Sequence, residues 1–540
     1  MSTTPLAQGP CDDGALRHAP PPADGPGCPR ADEPWVLAAT ILASSMAFID
    51  GTVVNVALPA LQKDLGAGLS GMQWAVEAYA LLLAALLLVG GAAGDRFGRR
   101  RVFALGVAVF AAASAWCGLA GNIGHLVAAR AAQGVGAALL VPGSLALLSA
   151  SFDESRRGKA IGTWSGATAM TTALGPVVGG WLIEHLSWRA AFLVNLPLAA
   201  AVLLIAFWRV PESRAPAQPG PLDWPGSLLA ALGLGGVVYA LIASPEQGWG
   251  RPAVWLPAAA GVLALALFAR VEARAANPVM PPALFRSRAF LGANLLTLLL
   301  YAALGGGLFF FPLNLIQVQG YSPTGAGAAL LPFILLMFLL SGWAGGLADR
   351  HGARRPLIVG PLVAAAGFAL FALPGAGGSY WTTFFPAVAV LGAGMSISVA
   401  PLTTTVMNAV PPGTAGTASG INNAAARVAT LLAIAGLGIV MAGVFGHRLE
   451  RALARPGAVP PQLALAVQAQ RGRLAAIAIP PAADAQAARH VRQAVDEAFV
   501  AGFRAVMLLS ALLAAGGAGC AWWLLPAGRR AAPAMPPARP

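Results

Sequence analysis

The sequence predicts an all-α integral membrane protein with fourteen transmembrane helices. They form two six-helix bundles related by an internal repeat, with two extra helices between them. Three observations predict this. Only 10% of the 540 residues are charged and 57% are hydrophobic, against about 25% charged in soluble domains; mean hydropathy is +0.70. From Trp35 onward, long apolar runs alternate with short polar breaks. Each run is near the roughly 20 residues a helix needs to cross a bilayer. Finally, two polar breaks 254 residues apart share one template.

In chain order, residues 1–34 are rich in Pro, Gly and Asp and lack the layout of a signal peptide. They are expected to be a disordered cytoplasmic tail. The apolar runs begin near Trp35, Gln73, Val102, His125, Ala160, Ala190, Pro225, Val254, Phe290, Thr324, Pro356, Trp381, Thr414 and Phe499. Residues 35–210 make the N-terminal six-helix bundle and 211–288 the two inserted helices with their linkers. Residues 289–525 make the C-terminal bundle, including a long extracytoplasmic loop at 446–498, and 526–540 a cytoplasmic tail. The inserted runs, 225–243 and 254–269, are the most interrupted by Gly and Pro. The loop 446–498 carries Ala-rich amphipathic stretches, expected to form a short pair of surface helices.

Arginine placement sets the orientation. With the N-terminus inside, the inside segments hold 21 of the 34 basic residues, while the short outside loops hold only Lys63, Arg189 and Arg251. That asymmetry is the positive-inside pattern, and long loops count little in it. Both termini are therefore expected on the cytoplasmic face of the cell membrane. The net charge of +13 sits in short arginine clusters between apolar runs, which argues against nucleic acid as partner. Cys11, Cys28, Cys117 and Cys520 form no disulfide framework, and no cluster of Cys or His offers a metal site. No group of His, Cys or paired acids points to enzyme chemistry, and nothing in the chain fixes an oligomeric state.

The shared template is Gly91-x-x-x-Asp95-Arg96-x-Gly98-x-Arg100-Arg101, matched by Gly345-x-x-x-Asp349-Arg350-x-Gly352-x-Arg354-Arg355. A second pair follows almost the same offset: Gly134-x-Gly136 then Pro142, against Gly392-x-Gly394 then Pro401. Two directly joined six-helix halves would repeat at about 200 residues, so the excess accommodates the two inserted spans. Parallel repeats of this kind place a substrate site between halves near the midplane.

Several residues carry chemistry a lipid-facing helix would not tolerate. Asp50 lies inside the first span, so it must face the bundle interior or a watery cavity. Burial opposes its charge and a neighbouring cation favours it, so it can take and lose a proton as access alternates; a structural acid near a helix end is the other reading. Arg130, inside the fourth span, needs a partner. Asp50 is about eight residues (roughly 12 Å) from the outer end of its span, and Arg130 about five (roughly 8 Å) from the outer end of its own. The two are expected to share a layer and interact. Glu77, about four residues into the second span, is either a second proton carrier or an interfacial acid wetted from outside. Arg427, in the thirteenth span, either lines a cavity or anchors the helix. Asp95 and Asp349, with Gly91, Arg96, Gly98, Arg100 and Arg350, read either as charge latches that bond across helix ends or as simple topology signals. Gly175, Pro176, Gly179 and Gly180 form a kinked small-residue stripe that permits close helix contact. It either seals a cavity against proton leakage or is ordinary packing. Polar or aromatic midspan residues are cavity candidates: Asn294, Tyr301, Asn314 and Gln317, with Trp164, Met395 and Ser396, although such residues also serve as plain packing.

Four stretches together resemble a known family: Asp50-Gly-Thr-Val-Val-Asn55-Val-Ala-Leu-Pro59, the loop from Gly91 to Arg101, Arg130-Ala-Ala-Gln133-Gly134-Val-Gly136, and Gly175-Pro176-Val-Val-Gly179-Gly180. Trp188-Arg189 with Asn195 and Pro197 adds to them. The chain resembles the major facilitator superfamily, and within it the fourteen-helix drug:proton antiporters of the EmrB/QacA type, over about 35–445 and 499–525. The resemblance implies proton-coupled efflux of an amphipathic small molecule, driven by the proton gradient with no cofactor, and implies antiport for the Gly175–Gly180 pattern. Import of a small polar metabolite by the same fold is the alternative.

Overall fold

The computed structural model describes residues 32–214, 224–275, 280–411, 415–454, 459–481 and 483–526. Fourteen helices among the described residues are long and apolar enough to cross a membrane. They are α1 (Glu33–Leu65), α2 (Leu69–Phe97), α3 (Arg99–Gly118), α4 (Ile123–Ser151), α5 (Glu154–His185), α6 (Ala190–Arg209), α7 (Trp224–Gln247), α8 (Pro252–Glu272), α9 (Arg288–Val318), α10 (Pro323–Ala328 continued by Leu331–His351), α11 (Arg354–Phe371), α12 (Phe385–Asn408), α13 (Ala415–Leu453) and α14 (Ala485–Leu524). Large apolar side chains such as Trp208, Phe338, Leu339 and Trp523 point outward. Hydrocarbon rather than water is the solvent such a surface fits.

The repeat is a repeat of packing. Gly134 and Gly136 let α4 touch α2 at Tyr79 and Leu82 and α3 at Gly106 and Phe110; Gly392 and Gly394 let α12 touch α10 at Phe333 and α11 at Gly360 and Ala364. Gly98 and Gly352, equivalent in the two loops, both take positive φ, 110° and 77°. A side chain there would be strained, which explains why the template keeps glycine at that step. The interrupted runs are also helices. Gly233, Gly236 and Gly261 are the points where α7 and α8 cross backbone to backbone, and α7 packs on α2 and α13 through Val238, Ile242, Leu81 and Leu431.

Two boundaries shift. Glu33 and Pro34 belong to α1, where Glu33 accepts both guanidinium nitrogens of Arg156 on α5 at 2.7 and 2.6 Å; residues 1–31 of the expected tail, like 527–540 at the other end, lie outside the described residues. The expected loop 446–498 is mostly helix. The stem of α13 continues to Leu453 and α14 starts at Ala485, leaving a cap with a short helix, Pro461–Ala469, and a 3-10 turn, Arg471–Ala476. Alanine-rich segments continue a helix readily, and His447, Arg448, Glu450 and Arg451 sit exposed on its flank.

The halves meet at one end and part at the other. At the end away from the chain termini, Gly180 faces the Pro323 and Thr324 backbone, and Gly327 faces Pro176. Gln317 donates to Gln62 at 2.7 Å, Gln62 to the Arg473 carbonyl at 2.8 Å, and Gln73 to the Ile434 carbonyl at 2.7 Å. Eighteen residues before Gly180, five helical turns, Gly162 occupies the same face of α5, and among the described residues neither it nor Gly166 meets anything within 4 Å. Among the described residues, the seam is closed at the cap end and open at the end that bears the termini.

Candidate functional site

Asp50 and Arg130 meet at the centre of the first half. Each is 1% exposed, and the Arg130 guanidinium donates to a carboxylate oxygen of Asp50. A buried ion pair holds only with further hydrogen bonds on both groups, and here each has them. Arg130 also donates to the Ala75 carbonyl at 2.8 Å and to Gln133 Oε1 at 2.8 Å. Gln133 Nε2 donates to the second Asp50 oxygen at 2.9 Å and to Ser114 at 2.8 Å. Asn195 Nδ2 approaches the same Asp50 oxygen at 3.4 Å. The guanidinium lies over the Tyr79 ring, 4.4 Å from its centroid, an orientation worth about 2 kcal/mol where water is excluded.

The depths behind this pairing differ from those expected. Because α1 runs on to Leu65, Asp50 sits fifteen residues before its end, about 22 Å along the axis, rather than eight. Arg130 is the eighth residue of α4. The long side chain of arginine and the tilt of the crossing helices bridge the difference. Gln133 and Asn195 stand in the sequence motifs without a visible role; Gln133, three residues after Arg130, shares its helix face. Ser114 and Tyr79 carry no sequence signal at all, since only the packing of α3 and α2 brings them here.

Glu77 is not an interfacial acid wetted from outside. It is fully buried, and neither carboxylate oxygen has a hydrogen-bond partner among the described residues. It lies one turn along α2 from Gln73, whose side chain reaches α13, so it sits at the seam between halves. Arg427, on α13, is partly buried and within electrostatic reach of Tyr79. Tyr79, over which Arg130 lies, is thus in electrostatic reach of both the Asp50–Arg130 pair and Arg427.

The stripe on α5 packs on the Asp50 turn itself. A Cβ at Gly175 would strike Thr52, and one at Gly179 would stand 2.6 Å from Val53 Cγ1. Gly175 and Gly179 thus hold α5 to α1, while Pro176 and Gly180 hold it to α10 in the other half. At the Gly91 to Arg101 loop, Asp95 pairs with Arg99 at 2.8 Å, and Arg96 is exposed against Phe97. Glu212, just after α6, accepts the Arg100 backbone N–H at 3.0 Å. These bonds run across helix ends within the first half, from α2 to α3 and from α3 to the segment after α6. Gly91 faces Pro142 at 3.5 Å. The backbones of Gly345, Asp349 and Arg350 belong to α10, and the Asp349 and Arg350 side chains lie outside the described residues.

The cavity candidates divide. Gln317 and Asn314 belong to the closed end: Gln317 bonds Gln62, and Asn314 accepts from Gln319 at 3.1 Å. Asn294 is buried and donates to the Phe290 carbonyl, with its own oxygen unpartnered. Met395 and Ser396 are buried in α12, Ser396 bonding back to the Gly392 carbonyl. Trp164 donates its indole N–H to Ser44 at 3.1 Å, tying α5 to α1. Tyr301 lies on α9 between Thr297, which bonds Asn422, and Gly305, which touches Thr430, so it faces α13 close to Arg427.

A family model described as the Major Facilitator Superfamily matches residues 40–434. The tetracenomycin C resistance and export protein of Streptomyces glaucescens is 36% identical over 76% of this chain and 77% of its own length. A puromycin resistance protein of Streptomyces alboniger is 39% identical over 76% and 82%. A methylenomycin A resistance protein of Bacillus subtilis is 36% identical over 75% and 87%. Among solved structures, an inward-facing bacterial homologue of the human lysosomal transporter Spinster superimposes with a TM-score of 0.62 at 18% identity, covering 92% of this chain and 98% of that one. The E. coli xylose transporter XylE in its inward-open form gives 0.53 at 16% identity, covering 92% and 97%.

Proposed function

Because the chain belongs to the major facilitator superfamily, we propose that it exports drug-like or antibiotic compounds across the cell membrane by alternating access, with protons moving the opposite way. Its relatives are named for antibiotic resistance and export, which supports the direction. The arginine-rich end that bears the termini is cytoplasmic, so the open seam loads cargo from the cytoplasm.

The observation that carries the coupling is the sealed Asp50–Arg130 pair on the same helical turn as the α5 contact. Thr52 and Val53, which hold Gly175 and Gly179, are two and three residues from Asp50. A proton on Asp50 cancels its charge and weakens the pull on Arg130. The guanidinium then leans on Ala75 and Gln133, and the α1 turn that supports the α5–α10 closure is freed to move. Glu77 is a second proton carrier: a carboxyl with no cation bonded to it is held at lowest cost as the neutral acid. The proton gradient is the energy source, and each charge crossing the potential contributes about 2.3 kcal/mol per 100 mV.

The test is growth protection against a panel of toxic compounds, with drug accumulation measured with and without an uncoupler. Protection that the uncoupler abolishes, and that Asp50→Asn abolishes when compared at equal amounts of protein in the membrane, is the expected result. Full uncoupler-sensitive efflux in Asp50→Asn would refute the coupling role.

A further inference from the structure

The proton-coupled reading leaves open what charge the cargo carries, and the structure bears on it through the charges along the route. Asp50 and Glu77, the acids beside the seam among the described residues, are withdrawn from any ligand. Asp50 is spent on Arg130 and Gln133, and Glu77 is wholly enclosed. A lipophilic cation entering the seam therefore finds no accessible carboxylate among the described residues on the layer where Tyr79 and Arg427 lie.

A cation stands there instead. Arg427, on α13, is partly exposed and in electrostatic reach of Tyr79. No carboxylate pairs with it and no group hydrogen-bonds it among the described residues. One turn toward the open end, Asn423 is exposed. A guanidinium inside a membrane-spanning helix is costly unless it meets an anion, and its planar fork matches a carboxylate.

The far side of the closed seam repeats the sign. A cavity of about 530 Å³ lies between α1, α9, the cap and α14. Its lining includes Lys63, Arg473 and Arg492 and no acid, beside apolar walls such as Ile316 and Ile477. Arg492 donates to the Ala475 carbonyl at 3.1 Å and lies in electrostatic reach of Asp496. Lys63 and Arg473 have no carboxylate partner among the described residues. The volume is that of a drug-sized ligand site.

We propose that the cargo is an amphipathic anion, an apolar body bearing a carboxylate or similar group, received by Arg427 from the open seam and released past the Lys63–Arg473–Arg492 pocket. This rests on the export reading above. Free acid and anionic lipid share that chemistry, and the proposal commits to the free acid.

The full chain in phosphatidylcholine vesicles, with an imposed proton gradient, is offered three probes with one apolar body: pyrenebutyrate, pyrenebutanol and a pyrenebutyl trimethylammonium ion. The expected result is transport of the anion in preference to the other two. In Arg427→Gln the anion-to-alcohol ratio of rates falls at least about tenfold, the size of a lost charged hydrogen bond, while Arg427→Lys keeps part of it. Arg473→Gln, on the opposite side of the closure from Arg427, lowers the same ratio and guards against misfolding of the first variant. Adding phosphatidylglycerol leaves the preference intact; loss of it would assign the sites to lipid and overturn the proposal. Equal rates, a preference for the cation, or no transport of the anion overturns it too. If toxic compounds are still exported in an uncoupler-sensitive way, only the charge assignment falls; if they are not, the export reading falls with it.

Discussion

Replacing one member of the Asp50–Arg130 pair leaves its partner charged and enclosed, and the structure sets the size of the effect. In Asp50→Asn, Arg130 keeps the Ala75 carbonyl and Gln133 Oε1 but loses its only anion. The new amide N–H₂ also confronts donors, since Gln133 Nε2 and Asn195 Nδ2 both point at the carboxylate. Breaking one side of a buried pair costs about 3–5 kcal/mol, and a guanidinium has no neutral form to retreat to. Arg130→Gln is expected to cost less, because a lone carboxyl can take a proton. Asp50→Asn with Arg130→Gln removes both charges, so the double variant should be far more stable than the two single losses added together. Unfolding of the four purified proteins in mixed micelles gives the coupling energy, expected to be at least about 2 kcal/mol. Coupling within about 0.5 kcal/mol of zero, the value for independent sites, would refute the view that these groups depend on each other.

Three other perturbations probe different parts of the molecule. Gly180→Val places a Cβ 2.7 Å from the Pro323 carbonyl carbon and 2.8 Å from Thr324 Cα; the cap end cannot then close, so spin labels across it should separate and transport should stop, whereas unchanged distances would remove Gly180 from the closure. Glu77→Gln preserves shape and neutrality, so stability should change by less than about 1 kcal/mol while proton counterflow per cargo falls; unaltered counterflow would exclude Glu77 as a carrier. Asp484 caps α14 by accepting the Ala487 and Gln486 backbone N–H groups at 3.2 and 2.9 Å, and those bonds hold its carboxyl below the usual range. The cap is therefore fully present above the unfolded value of about 3.9 and lost as pH falls through the lower folded one. Exchange of those two amides, corrected for its intrinsic pH dependence, should rise in acid, and Asp484→Ala should abolish that change.

The sequence alone determined the membrane class, the number of spans and the duplication. These follow from counts and periods: a bilayer demands about 20 apolar residues per crossing, and a duplicated bundle repeats the glycines at its crossings, as Gly134 and Gly136 against Gly392 and Gly394 show. It also marked Asp50 and Arg130, because an ionised side chain in an apolar run is conspicuous without any structure. Tertiary packing decided the rest. Gln133, Asn195, Ser114 and Tyr79 gather on that pair from four helices, and each is an ordinary residue on its own helix. Glu77 and Arg427 look alike in sequence, single charges in apolar runs. Only the meeting of α2 with α13 encloses the one and leaves the other facing the seam. Gln317 reads as a midspan polar residue until the halves close over it. Burial and partnership are properties of surfaces brought together, and no period along one chain segment records what the opposite surface will be.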